Sequence, residues 1–235
     1  MVEVPMLVTY NVLADSECPF HQDPHHPGQD HHFHLEPQKQ VPAPSRARQL
    51  DQGKHEMSRL SIQLFGSFRV TLDGEPVTAF ESDKVRALIA YLAVEAGRPQ
   101  RREKLVGLLW PDWPERSARA SLSQALYNLR AAIGDREADP PFLLITPQTI
   151  QFNRESDHSL DVALLTELPE DTTAAQLEAA VTAYKGPFLA DFSLPDSAPF
   201  EEWLTTTREE LHRQALEALR RLAAHHESRG EYAQA

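Results

Sequence analysis

The spacing of apolar residues changes three times along this chain, and that alternation restricts the fold more than any other feature. Leu60, Ile62 and Leu64, then Phe68, Val70 and Leu72, alternate with polar residues, and the turn-forming pair Asp73-Gly74 follows. Alternation sends successive side chains to opposite faces of a strand, so this stretch predicts a small antiparallel sheet. From Asp83 the spacing lengthens to threes and fours. Val85, Leu88, Ile89, Leu92 and Ala93 share one helical stripe, begun by Ser82 or Asp83 as cap and stopped by Gly97. A second helix is predicted over RREKLVGLLW, burying Leu105, Leu108 and Leu109 and ending at Pro111, and a third from about Pro114 to Gly134. In FLLITPQTIQFN the spacing returns to two around Thr146-Pro147-Gln148-Thr149, which predicts a closing hairpin.

These elements make an α+β unit over residues 57–155, with antiparallel sheet, three helices and C-terminal hairpin. Beyond Asp161 the chain reads as wholly helical, so residues 156–235 are expected to be an all-α region. DVALLTEL and AAQLEAAVTAYKG come first, then a proline-rich bend, then the long FEEWLTTTREELHRQALEALRRLAAHHESRG. In the last of these Leu211, Ala215, Leu219 and Leu222 form an amphipathic stripe that needs a partner. GEYAQA reads as the start of another helix.

Residues 1–56 are a different kind of sequence, rich in histidine, proline and glutamine with no repeating apolar spacing, and are expected to be a disordered tail. Six histidines lie between His21 and His34, near Cys18, but without the fixed spacing of a structural metal site, so no metal or other cofactor is expected. One cysteine excludes an internal disulfide framework and multi-cysteine clusters, which fits a reducing compartment, and no window is apolar enough to span a bilayer. The cytoplasm is therefore the expected location.

A net charge of −12 argues at first against a nucleic-acid partner. The charge is unevenly placed, however. Residues 154–235 hold 7 basic and 16 acidic side chains, whereas residues 98–130 hold 7 basic and 3 acidic, so positive charge gathers around the predicted third helix. At 100° per residue Leu122, Ala125, Leu126, Leu129 and Ile133 form its inner edge. Arg116, Ser123, Gln124, Tyr127 and Arg130 project away, with Arg119 and Asn128 at the margins and the small Ala120 and Ala131 between. Such a face can donate to phosphates and meet base edges, since Arg pairs with guanine and Gln or Asn with adenine.

The order of elements, with LFGSFRVTLDG at 64–74, the start of the first helix at Lys84, RREKLVGLLWPD at 101–112 and ARASLSQALYNLRAAIG at 118–134, resembles the winged-helix domain of the OmpR type. The wording resembles the version found in antibiotic-pathway regulators of the SARP kind, and the resemblance covers residues 58–153. It implies that the third helix enters the major groove of double-stranded DNA through Arg116, Arg119, Ser123, Gln124, Tyr127, Asn128 and Arg130. It implies phosphate contacts from Arg101, Arg102 and Lys104, and a wing at 146–149 that brings Gln148 and Thr149 to the duplex. It also implies that Trp110, Asp112 and Trp113, between the second and third helices, touch RNA polymerase.

The second half, through Tyr184, Gly186, Phe188, Leu189, Trp203, Arg208 and Gly230-Glu231-Tyr232, is similar to the bacterial transcriptional activator domain, a tetratricopeptide-like region. In that setting Phe188 and Trp203 are expected to be core residues. A repeat helix needs its neighbour, so either the chain is a fragment of a longer regulator or its end is frayed.

The expected function is sequence-specific DNA binding by a transcriptional activator, with a homodimer on tandem sites as a further partner. The alternative is a tetratricopeptide-type adapter whose winged helix no longer reads DNA, an option the acidic second half keeps open. No phosphate-binding glycine loop, HExxH or serine elbow occurs, so an enzyme is not expected. His212, His225 and His226 read as surface residues.

Overall fold

Asp73 and Gly74 both take positive φ, 53° and 85°, the combination that a two-residue hairpin turn demands. They join β2 (Arg69–Leu72) to β3 (Glu75–Pro76), and β2 pairs antiparallel with β1 (Leu60–Gln63). The computed structural model describes residues 59–169 and 171–230. The expected tail, its histidines and the GEYAQA start beyond Gly230 lie outside the described residues.

Three helices follow: α1 (Asp83–Val94), α2 (Arg102–Leu109) and α3 (Glu115–Ala132), each within two residues of the extent its apolar spacing predicts at the better-marked end. A short β4 (Gln100–Arg101) precedes α2 and pairs with β6 (Thr149–Phe152), which pairs in turn with β5 (Leu143–Ile145). Alternation in β6 is direct: Ile150 and Phe152 are buried while Thr149 and Gln151 are half-exposed. Most of α1, from Ala87 to Ala93, is buried, because α2, α3 and the strand Thr149–Phe152 pack around it and the Trp203 ring covers Tyr91.

One strand was not anticipated. β7 (His158–Leu160) pairs parallel with β1, giving a sheet of order β3-β2-β1-β7 that is not purely antiparallel. The strand has a single apolar residue, Leu160, so no alternation announced it. It lies past the expected boundary at residue 155 and joins the sheet of the first half. The half-buried Asp161 closes this junction by accepting the backbone N–H groups of Leu64, Phe65 and Val162 at 2.8–3.0 Å.

The helical part comprises α4 (Ala163–Thr166), α5 (Ala174–Ala183) and α6 (Ala198–Ser228). α5 begins with a reciprocal capping box between Thr173 and Gln176. The proline-rich bend binds back onto the first sheet, with Leu189 N–H donating to Leu64 O at 2.7 Å and Ala190 N–H to Gly66 O at 2.9 Å. Arg208 on α6 holds that bend by donating to the carbonyls of Phe188, Leu189 and Phe192. Phe188 is buried, and the Trp203 ring lies 5.0 Å from Tyr91, 5.2 Å from Phe200 and 5.8 Å from Phe188, so both act in packing as expected.

Two readings of α6 need correction. The buried stripe is Leu211, Ala215 and Ala218 with Leu222 half-buried, whereas Leu219 is 50% exposed. At 100° per residue Leu211, Ala215, Ala218 and Leu222 fall within about 60° of one another, and position 219 lies about 40° beyond that stripe. His226 is not a surface residue either; it is buried, with Nε2 3.8 Å from a Glu178 carboxylate oxygen.

Candidate nucleic-acid interface

α3 acquires its two-sidedness from position in the core. Ala118, Leu122, Ala125, Leu126 and Leu129 are buried, and Ile133 just beyond the helix is fully so. Each large apolar side chain taken from water contributes about 1.5–3 kcal/mol, which sets the helix's rotation and leaves the opposite edge outside. Pro114 stands immediately before the first helical residue, and Glu115 sits in the first turn, where the helix dipole favours an acid.

On the outer edge Arg116, Arg119, Ser123, Gln124 and Tyr127 are all exposed, Tyr127 by 55%. Arg116 makes no side-chain hydrogen bond or ion pair among the described residues. Arg119 differs: its guanidinium bonds Glu115 at 2.7 Å and lies 3.5 Å from Glu103, so two carboxylates already share it. Ser123 Oγ donates to Arg119 O at 3.0 Å and keeps its acceptor capacity. Gln124 faces a cavity of about 300 Å³ between the start of α1 and the α2–α3 loop, whose lining includes Lys84, Trp110 and Trp113. Arg130 is half-buried and bonds the fully buried Asp135 at 2.7 Å.

Asn128 leaves this set. It is 8% exposed, its amide nitrogen donates to Ala79 O at 3.1 Å, and its Oδ1 accepts Glu81 N–H at 3.0 Å. The chain leading from β3 into α1 crosses the margin of α3 there, and a buried amide must find partners. Asn128 therefore holds that crossing in place.

The basic residues before α2 separate in a similar way. Arg101 is exposed and makes no side-chain hydrogen bond or ion pair among the described residues. Arg102 receives the hairpin turn: its backbone N–H donates to Gln148 O at 3.0 Å and its Nε to Thr146 O at 3.3 Å. Lys104 is turned to Gln100 Oε1 at 3.1 Å and to the Tyr91 ring at 5.5 Å. The turn itself is braced by Thr146 Oγ1, which accepts the N–H groups of Gln148 and Thr149, leaving the Gln148 side chain exposed and Thr149 half-buried.

In the α2–α3 connection Trp113 is 50% exposed and Asp112 is exposed, but Trp110 is buried, with the Lys84 ammonium 5.8 Å above its ring. Lys84 also ion-pairs Asp196 at 2.9 Å and donates to Leu109 O, while Ser197, the cap of α6, donates to Leu108 O. The acidic helical part thus docks on α1 and the end of α2, away from the outer edge of α3. Sequence reasoning missed Asp135 and Arg136. No periodicity extends past the Gly134 stop, and only the stop itself marked the place.

Residues 156–235 match the family described as the bacterial transcriptional activator domain. Among curated proteins, the transcriptional regulatory protein EmbR of Mycobacterium bovis, and likewise that of Mycobacterium tuberculosis, is 37% identical over 86 residues, which is 37% of this chain and 22% of the relative. The chain spans about a fifth of the length of those curated relatives. The solved structure of Mycobacterium tuberculosis EmbR in complex with a low affinity phosphopeptide is similar with a TM-score of 0.59 at 27% identity, over 74% of this chain and 47% of that one. A share of 74% exceeds what either half of this chain holds, so the similarity reaches into both.

Proposed function

We propose that this chain is part of a bacterial transcriptional regulator in which residues 57–155 are a winged helix of the OmpR type that binds double-stranded DNA, and residues 156–235 are a helical activator domain. One observation carries the reading: the leucine edge of α3 is buried while Arg116, Ser123, Gln124 and Tyr127 stand exposed. The acidic helices, which would repel phosphate, dock on α1 and the end of α2 instead. Charges farther than about 8 Å are largely screened at physiological ionic strength, so the local basic edge governs what approaches it.

In this reading α3 lies in the major groove, with Arg116 and Gln124 as base readers and Ser123 and Tyr127 beside them. Arg119 reaches phosphate by exchanging its carboxylate partners for it. The hairpin turn at 146–149 is the wing, presenting Gln148 and steadied by Arg102. Arg101 supplies a phosphate contact before α2. Trp113 and Asp112 form the exposed part of a contact with RNA polymerase, and Trp110 supports that loop from beneath. The similarity to EmbR, a protein named as a transcriptional regulator, supports the same assignment. Pairs of this chain on tandem sites fit a direct-repeat operator.

Selection of bound fragments from random duplexes, followed by fluorescence anisotropy on a recovered site, tests the reading. Arg116→Ala and Gln124→Ala are expected to weaken the recovered site by about 1–3 kcal/mol and random duplex by less. Failure to recover any sequence, with no salt-dependent binding to duplex, would refute it.

A further inference from the structure

Just past the last turn of α3, three consecutive residues build a device that the groove-reading face does not account for. Gly134, at φ 63°, ends the helix in a left-handed conformation, its N–H reaching Ala131 O at 3.4 Å and the N–H of Asp135 reaching Arg130 O at 3.0 Å. The Asp135 side chain is wholly buried. Its Oδ2 accepts Arg130 Nε at 2.7 Å and its Oδ1 accepts the N–H of Leu143, the first residue of β5, at 2.8 Å. A buried carboxylate is costly unless it is paired and fully bonded. Here both oxygens are used, so Asp135 joins the end of α3 to the hairpin.

The bond through Nε fixes how Arg130 points. A guanidinium carries five N–H donors, and with Nε engaged the two terminal nitrogens remain for another acceptor on a side chain that is still 32% exposed. The exposed Arg136 guanidinium lies 5.1 Å from the centroid of the ring of Tyr127, three residues before Arg130 on α3. Arg136 makes no ion pair among the described residues, and stacking on the phenol limits its rotation without using its hydrogen-bond donors. Tyr127 and Arg130 are an i,i+3 pair on one face of the helix, so two oriented guanidiniums, one held by Asp135 and one over Tyr127, serve the last turn of α3, where the helix dipole alone would repel an anion.

Their place along the helix indicates the ligand. Arg130 is 14 residues from Arg116, about 21 Å at 1.5 Å per residue, whereas the major groove is about 12 Å wide. A recognition helix puts its N-terminal residues on base edges, and its far end then lies over the strand that bounds the groove. The geometry points to Arg130 and Arg136 as a clamp on DNA backbone phosphate, with Asp135 and Tyr127 as its positioning residues. The inference rests on the DNA-binding reading above, and it predicts affinity without base preference. Through Leu143 the clamp is tied to the wing, so the two engage the duplex as one rigid unit.

The test uses the full 235-residue chain, titrated against a selected duplex and a random duplex across a salt series. Arg136→Ala is expected to weaken both duplexes by the same factor and to make the slope of log K against log salt shallower by about 0.9, the contribution of one phosphate. Asp135→Asn keeps an acceptor for Leu143 and removes the charge that aims Arg130. The loss caused by Arg130→Ala should therefore be smaller in the Asp135→Asn background than in the wild-type chain, a coupling that general destabilisation does not produce. If Asp135→Asn fails to fold, Tyr127→Leu on the surface supplies the same cycle with Arg136→Ala. Wild-type binding with an unchanged slope in Arg136→Ala overturns the clamp and leaves the DNA reading standing, as does a loss confined to the selected duplex. If the wild-type chain binds neither duplex, the DNA reading fails and the clamp with it.

Discussion

Replacing Asn128 by alanine separates a groove contact from a structural tie. The side chain donates to Ala79 O and accepts from Glu81 N–H, at 3.1 and 3.0 Å, and is 8% exposed. Each such bond contributes about 0.5–1.5 kcal/mol net. Ala79 and Glu81 are exposed residues whose backbone groups water can partly reclaim, so the loss is expected near the middle of the summed range, about 2 kcal/mol. With a urea m-value of about 2 kcal/mol/M, the unfolding midpoint falls by about 1 M with m unchanged. Asn128→Asp keeps the acceptor for Glu81 but sets a carboxylate against the Ala79 carbonyl, so it should be no more stable than the alanine variant. Urea melts followed by far-UV circular dichroism give the midpoint, and anisotropy in the absence of urea gives the DNA affinity of the folded chain. A base-reading asparagine behaves in the opposite way, with about 1–3 kcal/mol lost on specific duplex and the midpoint unmoved. That outcome would refute the assignment of Asn128 to the interior.

Gly134→Ala should cost about 1–2 kcal/mol for left-handed backbone alone, and more because a Cβ there would meet Leu72 Cδ2 at 3.2 Å; a thermal melt that matches wild type would show that the helix end is not so constrained. Burial raises the Asp161 carboxyl above its ordinary value of 3.8, with the N–H groups of Phe65, Leu64 and Val162 opposing the shift. A carboxyl raised in the folded state favours folding fully below 3.8 and loses that contribution as pH rises through its native value. The stability of wild type relative to Asp161→Asn should therefore decline as pH climbs from about 3.8, measured by urea titration at each pH, and an increase instead would mean that the N–H bonds outweigh burial.

Much of the architecture was legible because burial imposes a period. Leu60, Ile62 and Leu64 could only be a strand, and Leu122, Leu126, Leu129 and Ile133 only one edge of a helix, since any other geometry exposes half of them. The Asp73-Gly74 turn and the Gly134 stop were readable for a related reason, because few residues tolerate positive φ. By contrast, β7 has too little apolar content to show a period, and its parallel pairing with β1 joins residues about a hundred positions apart.

The margins of α3 were decided by tertiary structure. Gln124 on the outward face and Asn128 at its margin are both amides off the buried edge, and helical spacing alone does not say that one of them is covered. Asn128 turned inward because the segment from Ala79 to Glu81 passes over it, whereas Gln124 stayed at the surface, lining an open cavity with Glu81, Ser82 and Trp113. Trp110 and Trp113 divide in the same manner, one covered by Lys84 and the α6 cap region, the other left exposed. By itself, then, the sequence determined which residues had to avoid water and at what period, since transfer free energy belongs to each side chain. Which polar groups were left facing outward was a tertiary matter, because it depends on the distant segments that cover them.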